Sequence, residues 1–281
     1  MQKIGVVFNP QIAEAPLLAG AVSHWLEQQS AQHWVSSTDE GEVTGLNLSE
    51  SKLLVVIGGD GTTLMAGRLA APYNVPIFGI NLGRVGFLSE ADPDAWQEKL
   101  LKVLEEQHWL ERRLMIEARV MRSNEVLSQL TALNDVVVSR GAQVRVVRFH
   151  LFVDGAHVMT YSADALISAT PTGSTAYSLA AGGPLLPPQL QNYIVLPVAP
   201  HLSFERPLVL HQEAVVKIKV QSDFGAIVTA DGQDAVELQD GDEVEISKHS
   251  CESIFARLEE PSYFYRRLMQ RLGYWSLKQY A

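Results

Sequence analysis

The sequence predicts an α/β domain with a parallel sheet, then a mostly β domain, closed by a short helical tail. Three observations carry this reading. Buried-looking apolar runs alternate with amphipathic, helix-like stretches up to about Glu111. From about Leu114 the apolar residues recur with period two. After Pro261 a helix-like pattern resumes.

Ile4-Gly5-Val6-Val7-Phe8 reads as a buried strand ending at Asn9-Pro10. Leu17 to Gln29 reads as a helix, with Leu18, Val22, Trp25 and Leu26 on one apolar face. Leu53 to Ile57 is a second strand, and Val75 to Ile80 a third. Asp92-Pro93 reads as an N-cap followed by proline at the first helical position, opening a helix to about Gln107. Strands alternating with helices imply parallel βαβ units. Beyond that point Ile116, Ala118 and Val120 alternate with polar neighbours, as do Val216, Ile218 and Val220. Asp154-Gly155, Asp231-Gly232 and Asp240-Gly241 read as hairpin turns. Tyr263 to Leu272 is the tail helix. The division expected is residues 1–112 with a returning tail 260–281, and residues 113–259.

Composition narrows the function. The 281 residues are 47% hydrophobic and carry a formal net charge of −10. That is enough chain to bury a sizeable core. The acidic balance argues against nucleic acid or anionic lipid as a partner, since both need a basic surface. One cysteine, Cys251, leaves no internal disulfide or cysteine metal site, which suits a reducing cytoplasm. The apolar run at the N-terminus, Ile4 to Phe8, is too short for a signal-peptide core, and no window approaches a membrane span. The eight histidines are scattered and form no His-x-x-x-His pair on an evident helix.

Three stretches carry chemistry. The first is Gly58-Gly59-Asp60-Gly61-Thr62, between the Leu53–Ile57 strand and the helix-like Thr63–Ala70. Its glycines let backbone approach a ligand, and the helix start offers free N–H groups to an anion. A fixed carboxylate there repels phosphate, so Asp60 reads as a reacting or metal-holding group. The plainer alternative is Asp60 as a helix cap. The loop lacks the Gly-Lys-Ser/Thr ending of a Walker A loop and the third glycine of a dinucleotide-binding fingerprint. The second stretch, Thr170 to Pro184, packs small and hydroxyl residues with Tyr177, which offers donors to ribose or phosphate and a ring to a base. Alternatively it is a plain turn. The third, Leu133-Asn134-Asp135-Val136, breaks an apolar strand with a pair suited to a ribose diol, or is an exposed strand end or bulge.

In this order the three stretches resemble the NAD kinase family, as does Asn81 to Leu88. The similarity covers nearly the whole chain. Gly-Gly-Asp-Gly alone would be less specific, because phosphofructokinases and diacylglycerol or sphingosine kinases share it. The resemblance implies a Rossmann-like α/β domain, a β-sandwich-like C-terminal domain, a chain end folding back on the first domain, and an active site between the two. It implies ATP-dependent phosphorylation of NAD to NADP with Mg²⁺ or another divalent metal, in a cytoplasmic homo-oligomer, dimer or tetramer. Asp60 is then the general base, with Gly61 beside it, and Gly58, Gly59, Gly61 and Thr62 form the phosphate loop. Asn134, Asp135, Asp164, Thr175, Ala176 and Tyr177 match NAD-contacting positions. Arg145 and Gln233 match by spacing from neighbouring motifs. Two departures stand out: Ala165 replaces a glycine after the acidic residue, and Ala180 stands where many bacterial members have serine. An acidic protein needs local cations for such substrates, and Arg145 and Arg148 are candidates. The alternatives are a lipid kinase sharing the Gly-Gly-Asp-Gly loop, disfavoured by the negative charge, and a non-catalytic NAD(P)-binding regulator, disfavoured by the presence of Asp60.

Overall fold

The structure is a computed structural model that describes residues 3–39, 45–83, 86–141, 147–201 and 205–271. Strands β1 (Lys3–Phe8), β2 (His33–Ser37), β3 (Ser51–Gly58), β4 (Ile77–Asn81) and β5 (Trp109–Arg113) come first. Helices α1 (Ala15–Gln28), α2 (Gly45–Ser49), α3 (Asp60–Ala70) and α4 (Trp96–Leu104) are interspersed with them. Strands β6 (Ile116–Arg122), β7 (Glu125–Ala132), β8 (Asp135–Arg140), β9 (Val147–Val153), β10 (Ala156–Ala163) and β11 (Ala165–Ala169) follow. Then come helix α5 (Tyr177–Ala180) and strands β12 (Asn192–Val198), β13 (Leu208–His211), β14 (Val216–Gln221), β15 (Ala226–Ala230), β16 (Gln233–Leu238) and β17 (Glu243–Lys248). Strand β18 (Ser253–Arg257) and helix α6 (Tyr263–Arg271) end the described chain.

Two compact units result, Met1–Arg112 with Ser253–Ala281, and Arg113–Glu252. The first holds a sheet of order β2-β1-β3-β4-β18-β5. Strands β2, β1, β3, β4 and β18 pair in parallel. Leu53, Val55 and Ile57 of β3 join a core with Val22 and Leu26 of α1 and Trp96 and Leu100 of α4. Helix α3 packs against β3, β4 and β18. A strand covered on both faces reads as an unbroken apolar run, and that is why Leu53 to Ile57 was legible.

The returning segment starts at Ser253, ahead of the residue 260 read from the sequence. All five residues of β18 are buried, and Phe255 pairs in parallel with Ile77. Such a run belongs to a covered parallel strand rather than to a period-two sheet. Helix α4 is shorter than expected. The Asp92 carboxylate accepts from the Asp94 and Ala95 amides at 3.1 and 2.9 Å, so it closes a turn ahead of the helix. Glu106, left-handed at φ +59°, stops the helix before Gln107.

The second unit is a pair of antiparallel six-stranded sheets among the described residues, ordered β10-β9-β14-β17-β6-β7 and β13-β12-β11-β8-β15-β16. Their facing sides form one core. Ile116, Ala118, Val120, Val216, Ile218 and Val220 come from the first sheet; Val136, Val138, Leu166, Val195 and Val228 come from the second. The second sheet also buries its other side, where Val137, Ile167, Ile194 and Leu196 meet Leu186, two residues beyond the hydroxyl-rich loop. The period-two reading of β6 and β14 therefore corresponds to one inward face.

Asp154-Gly155 and Asp231-Gly232 close the β9–β10 and β15–β16 hairpins, with positive φ at both residues of each turn. Asp240-Gly241 does not close a hairpin, because β16 and β17 lie in different sheets. A hairpin the sequence reading missed closes at Ser123-Asn124, again with two positive φ values. Asn134-Asp135 does not interrupt a strand. It marks the crossing from β7 to β8, which lie in different sheets, and Asp135 is the first residue of β8.

Gly155 has φ +80° and open space where a Cβ would stand, so only backbone strain opposes a side chain there. Gly155→Ala should cost about 1–2 kcal/mol, read from the urea midpoint at unchanged slope. An unchanged midpoint would contradict the turn assignment.

Candidate active site

Strand β3 ends at Gly58, Gly59 adopts an extended conformation, and α3 begins at Asp60. A Cβ on Gly58 would press into the Thr62 side chain, whose Cβ lies 2.8 Å away. Gly59 and Gly61 are different, since nothing lies within 4 Å of the added atom. Internal packing therefore does not demand glycine at these two positions, and the space beside the helix start is open. Asn9, just beyond β1, donates to the Thr62 hydroxyl at 3.3 Å and braces the loop. The loop thus sits at the carboxyl ends of parallel strands, where α/β sheets bind ligands.

Asp60 does not cap its own helix, because the N-cap residue is Gly59 and no side chain makes a cap bond. The carboxylate turns instead to a neighbouring segment. Oδ2 accepts from the Phe87 amide at 3.1 Å and Oδ1 from the Leu88 amide at 3.3 Å. The Arg271 guanidinium lies 3.7 Å from Oδ2 and 5.0 Å from the Phe87 ring. A Cβ on Gly86 would overlap the carboxylate, so glycine is required there. The side chain keeps 27% exposure. A carboxylate has about four lone-pair sites, so two amides and one guanidinium leave room for a further donor. Arg84 and Val85 lie outside the described residues, so only part of the Asn81–Leu88 stretch can be placed. Within it, Asn81 accepts from the Gly83 amide at 3.1 Å.

In the second unit the Asn-Asp pair and the hydroxyl-rich loop come together. Asp231, in the β15–β16 turn, accepts from the amides of Leu133, Asn134 and Asp135 at 3.0, 2.7 and 3.1 Å. Its own amide donates to the Asp135 carbonyl at 2.9 Å. From the other side, the Thr170 amide donates to the Asn134 carbonyl at 2.8 Å, and its hydroxyl to the Leu133 carbonyl. A Cβ on Gly173 would overlap the Asn134 carbonyl, so the loop can approach only with glycine there. Asp135 is buried. Burial, then the Asp231 charge, push its carboxyl up to about 7. Gln233 opens β16, two residues beyond Asp231.

Asp164 lies between β10 and β11 and pairs with Arg140 at 3.1 Å. Ser139, Arg140, Asp164 and Tyr177 line one cavity of about 310 Å³. Ala165 starts β11 with an ordinary backbone, so its replacement of glycine needs no altered turn. Thr175 donates to the Thr172 carbonyl at 3.2 Å, while Tyr177 and Ala180 are exposed. Arg145 lies outside the described residues. Arg148 lines a different cavity, with Gln221, Ser222, Asp223 and Phe224. Arg140 is thus the cation beside Asp164, and sequence reading missed it. Asp231 was read only as a turn residue, and its Asp-Gly signal is satisfied by the turn alone.

Residues 21–108 match the family model described as the ATP-NAD kinase N-terminal domain, and residues 133–258 match the ATP-NAD kinase C-terminal domain. The chain is 34% identical to the NAD kinase of Chloroflexus aurantiacus over 97% of its length and 99% of that protein. It is 39% identical to the NAD kinase of Heliobacterium modesticaldum, over 94% and 96%. A crystal structure of an Archaeoglobus fulgidus NAD kinase in complex with ATP is similar with a TM-score of 0.75 and 29% identity, over 92% of this chain and 95% of that one. Yeast NADH kinase complexed with NADH shares the fold, with a TM-score of 0.81 at 24% identity, over 97% and 88%.

The Asp135 carboxyl makes a prediction about pH. Its pKa rises on folding from 3.8 to about 7, so between these values the folded chain holds a proton that the unfolded chain releases. Its contribution to stability is therefore fully present at low pH and is lost as pH rises through about 7. The loss amounts to roughly 4 kcal/mol. Asp242, which the Arg122 hydrogen bond holds below the usual carboxylate range, works in the opposite direction. The informative quantity is thus the difference between wild type and Asp135→Asn in urea unfolding from pH 4 to pH 8. The wild type should lose stability relative to the variant across that range. Parallel curves would contradict the raised pKa.

Proposed function

This chain belongs to the NAD kinase family, and from that premise we propose that it transfers the terminal phosphoryl group of ATP to the 2′-hydroxyl of the adenosine ribose of NAD, with Asp60 as general base. The observation that carries the base assignment is the Asp60 carboxylate itself. It stands at an anion-attracting helix start, leaves its own helix uncapped, and is aimed by the Phe87 and Leu88 amides.

An alcohol is a weak nucleophile, and an aligned carboxylate that takes its proton assists the attack. The 2′-oxygen forms a bond to the terminal phosphorus as its proton passes to Asp60. The bond from that phosphorus to the bridging oxygen breaks, and ADP leaves. Backbone N–H groups at the head of α3 face the transferring phosphate, and Arg271 offers a cation beside Asp60. Among the described residues no three His, Cys, Asp or Glu side chains converge to hold a metal. Mg²⁺ carried on the ATP phosphates would offset the charge of the transferring group.

On the acceptor side, Asn134 and Asp135 bind ribose hydroxyls. Asp164, Thr175, Ala176, Tyr177, Ala180 and Gln233 complete the NAD contacts, with Arg145 in the same role. No helix among the described residues is long and apolar enough to cross a membrane. A net charge of −10 and a single cysteine suit a cytoplasmic enzyme. A homodimer or homotetramer is the assembly proposed.

Asp60→Asn keeps the size of the side chain and removes the base. Its turnover should fall by about 10² to 10⁴, with the KM for NAD changed far less. Near-normal turnover would overturn the mechanism.

Asn134→Ala strips a donor and an acceptor from the acceptor pocket. An unmade buried hydrogen bond costs roughly 1–3 kcal/mol, so the KM for NAD should rise about five- to 150-fold. The KM for ATP should hardly move. Steady-state kinetics with each substrate varied in turn decides the point, and a rise confined to the ATP constant would reverse the two subsites.

A further inference from the structure

We propose that two buried arginines near the chain end, Arg257 and Arg267, are positioning residues for Asp60, acting through the peptide groups of residues 86–88. This rests on Asp60 being the base.

The two amides that hold Asp60 belong to peptide planes whose carbonyls are held from behind. The Phe87 N–H shares its plane with the Gly86 carbonyl, and Arg267 Nη1 donates to that oxygen at 3.3 Å. The Leu88 N–H shares its plane with the Phe87 carbonyl, and Arg257 Nη2 donates to that oxygen at 3.4 Å. In a planar trans peptide the C=O and N–H point opposite ways. A guanidinium on the carbonyl side therefore aims the N–H on the other side. Each oxygen of Asp60 is reached through one peptide from one arginine. The next two carbonyls are held as well. Arg257 Nη1 donates to Leu88 at 3.1 Å and Ser89 at 3.2 Å, and Arg267 Nη1 also donates to Ser89.

The guanidinium groups are themselves fixed. Arg257 is fully buried. It donates to Glu111 at 3.0 Å and Glu90 at 3.1 Å, with the rings of Phe255 and Tyr263 at 5.0 and 4.9 Å. Arg267 donates to Glu259 at 2.7 Å and lies 4.7 Å from the Tyr263 ring. Glu90 accepts from the Leu258 and Glu259 amides at 2.9 and 3.2 Å, which ties the cluster to the end of β18. Burying this many charges is a costly way to gain stability, since well-packed apolar residues often do as well. Its yield is geometric: four successive carbonyls held in place, with two amides aimed at one carboxylate. Misplacing a reacting group by about 1 Å can cost roughly 10²-fold in rate.

The test compares Arg267→Lys in two backgrounds. Lysine keeps the charge and loses the planar fork. In the wild-type background kcat should fall about 10- to 100-fold, with both KM values within about threefold and the melting curve still cooperative. In the Asp60→Asn background the same substitution should change the residual kcat, followed with radiolabelled ATP, by less than about twofold, because no base remains to be aimed. Equal losses in both backgrounds, or raised KM values at unchanged kcat, would overturn the positioning role. If Asp60→Asn alone kept near-normal turnover, the base assignment would fall, and the positioning role with it. Should Arg267→Lys not fold, Arg257→Lys, which loses the fork behind the Leu88 amide, takes its place. The same two-background comparison then decides.

Discussion

A carboxylate held by two amides at the head of α3 is the contact on which the rest of the first unit depends. The helix start favours a negative charge, yet Asp60 spends none of its lone pairs on capping its own helix. The Phe87 and Leu88 amides fix both oxygens and leave room for a further donor. The glycine at 86 allows the approach. The segment that carries the amides is in turn anchored by Arg257 and Arg267, which the returning strand β18 and helix α6 bring in. The returning chain end is thus part of the support for one side chain.

The second unit uses the same device, a carboxylate that accepts from successive backbone amides. There a carboxylate, Asp231, gathers three successive amides and holds the Asn134-Asp135 crossing in place. The loop opening at Thr170 grips the same crossing through carbonyls, and Gly173 lets it come close. Burial, and after it the Asp231 charge, raises the pKa of Asp135. A protonated Asp135 is a donor as well as an acceptor.

Much of this was legible because burial leaves local traces. The run Leu53–Ile57 is apolar on both faces, the β6 and β14 strands alternate, and two Asp-Gly pairs turn hairpins. The glycine loop, the Asn-Asp pair and the hydroxyl-rich loop stood out because polar residues interrupted apolar runs. Long-range partners were not legible. Arg257 meets Glu90 across 167 residues, and Arg267 meets Gly86 across 181. Neither arginine looks different in sequence from a solvated one. Ser253–Arg257 was assigned to the wrong unit because a five-residue strand carries too little pattern to reveal its sheet. Asp231 hid behind its own turn, and Arg140 behind a strand end where a charge is ordinary.

The most direct measurement is identification of the product. The purified protein, incubated with ATP, Mg²⁺ and NAD, should generate a nucleotide that an NADP-specific dehydrogenase reduces, in a one-to-one ratio with ADP. Phosphorus NMR should place the new phosphomonoester on the 2′-oxygen of the adenosine ribose, and an NAD analogue lacking that hydroxyl should yield none. ADP release without NADP, or a phosphate on any other oxygen, would contradict the assignment of NAD as acceptor and of Asp60 as the base that serves it.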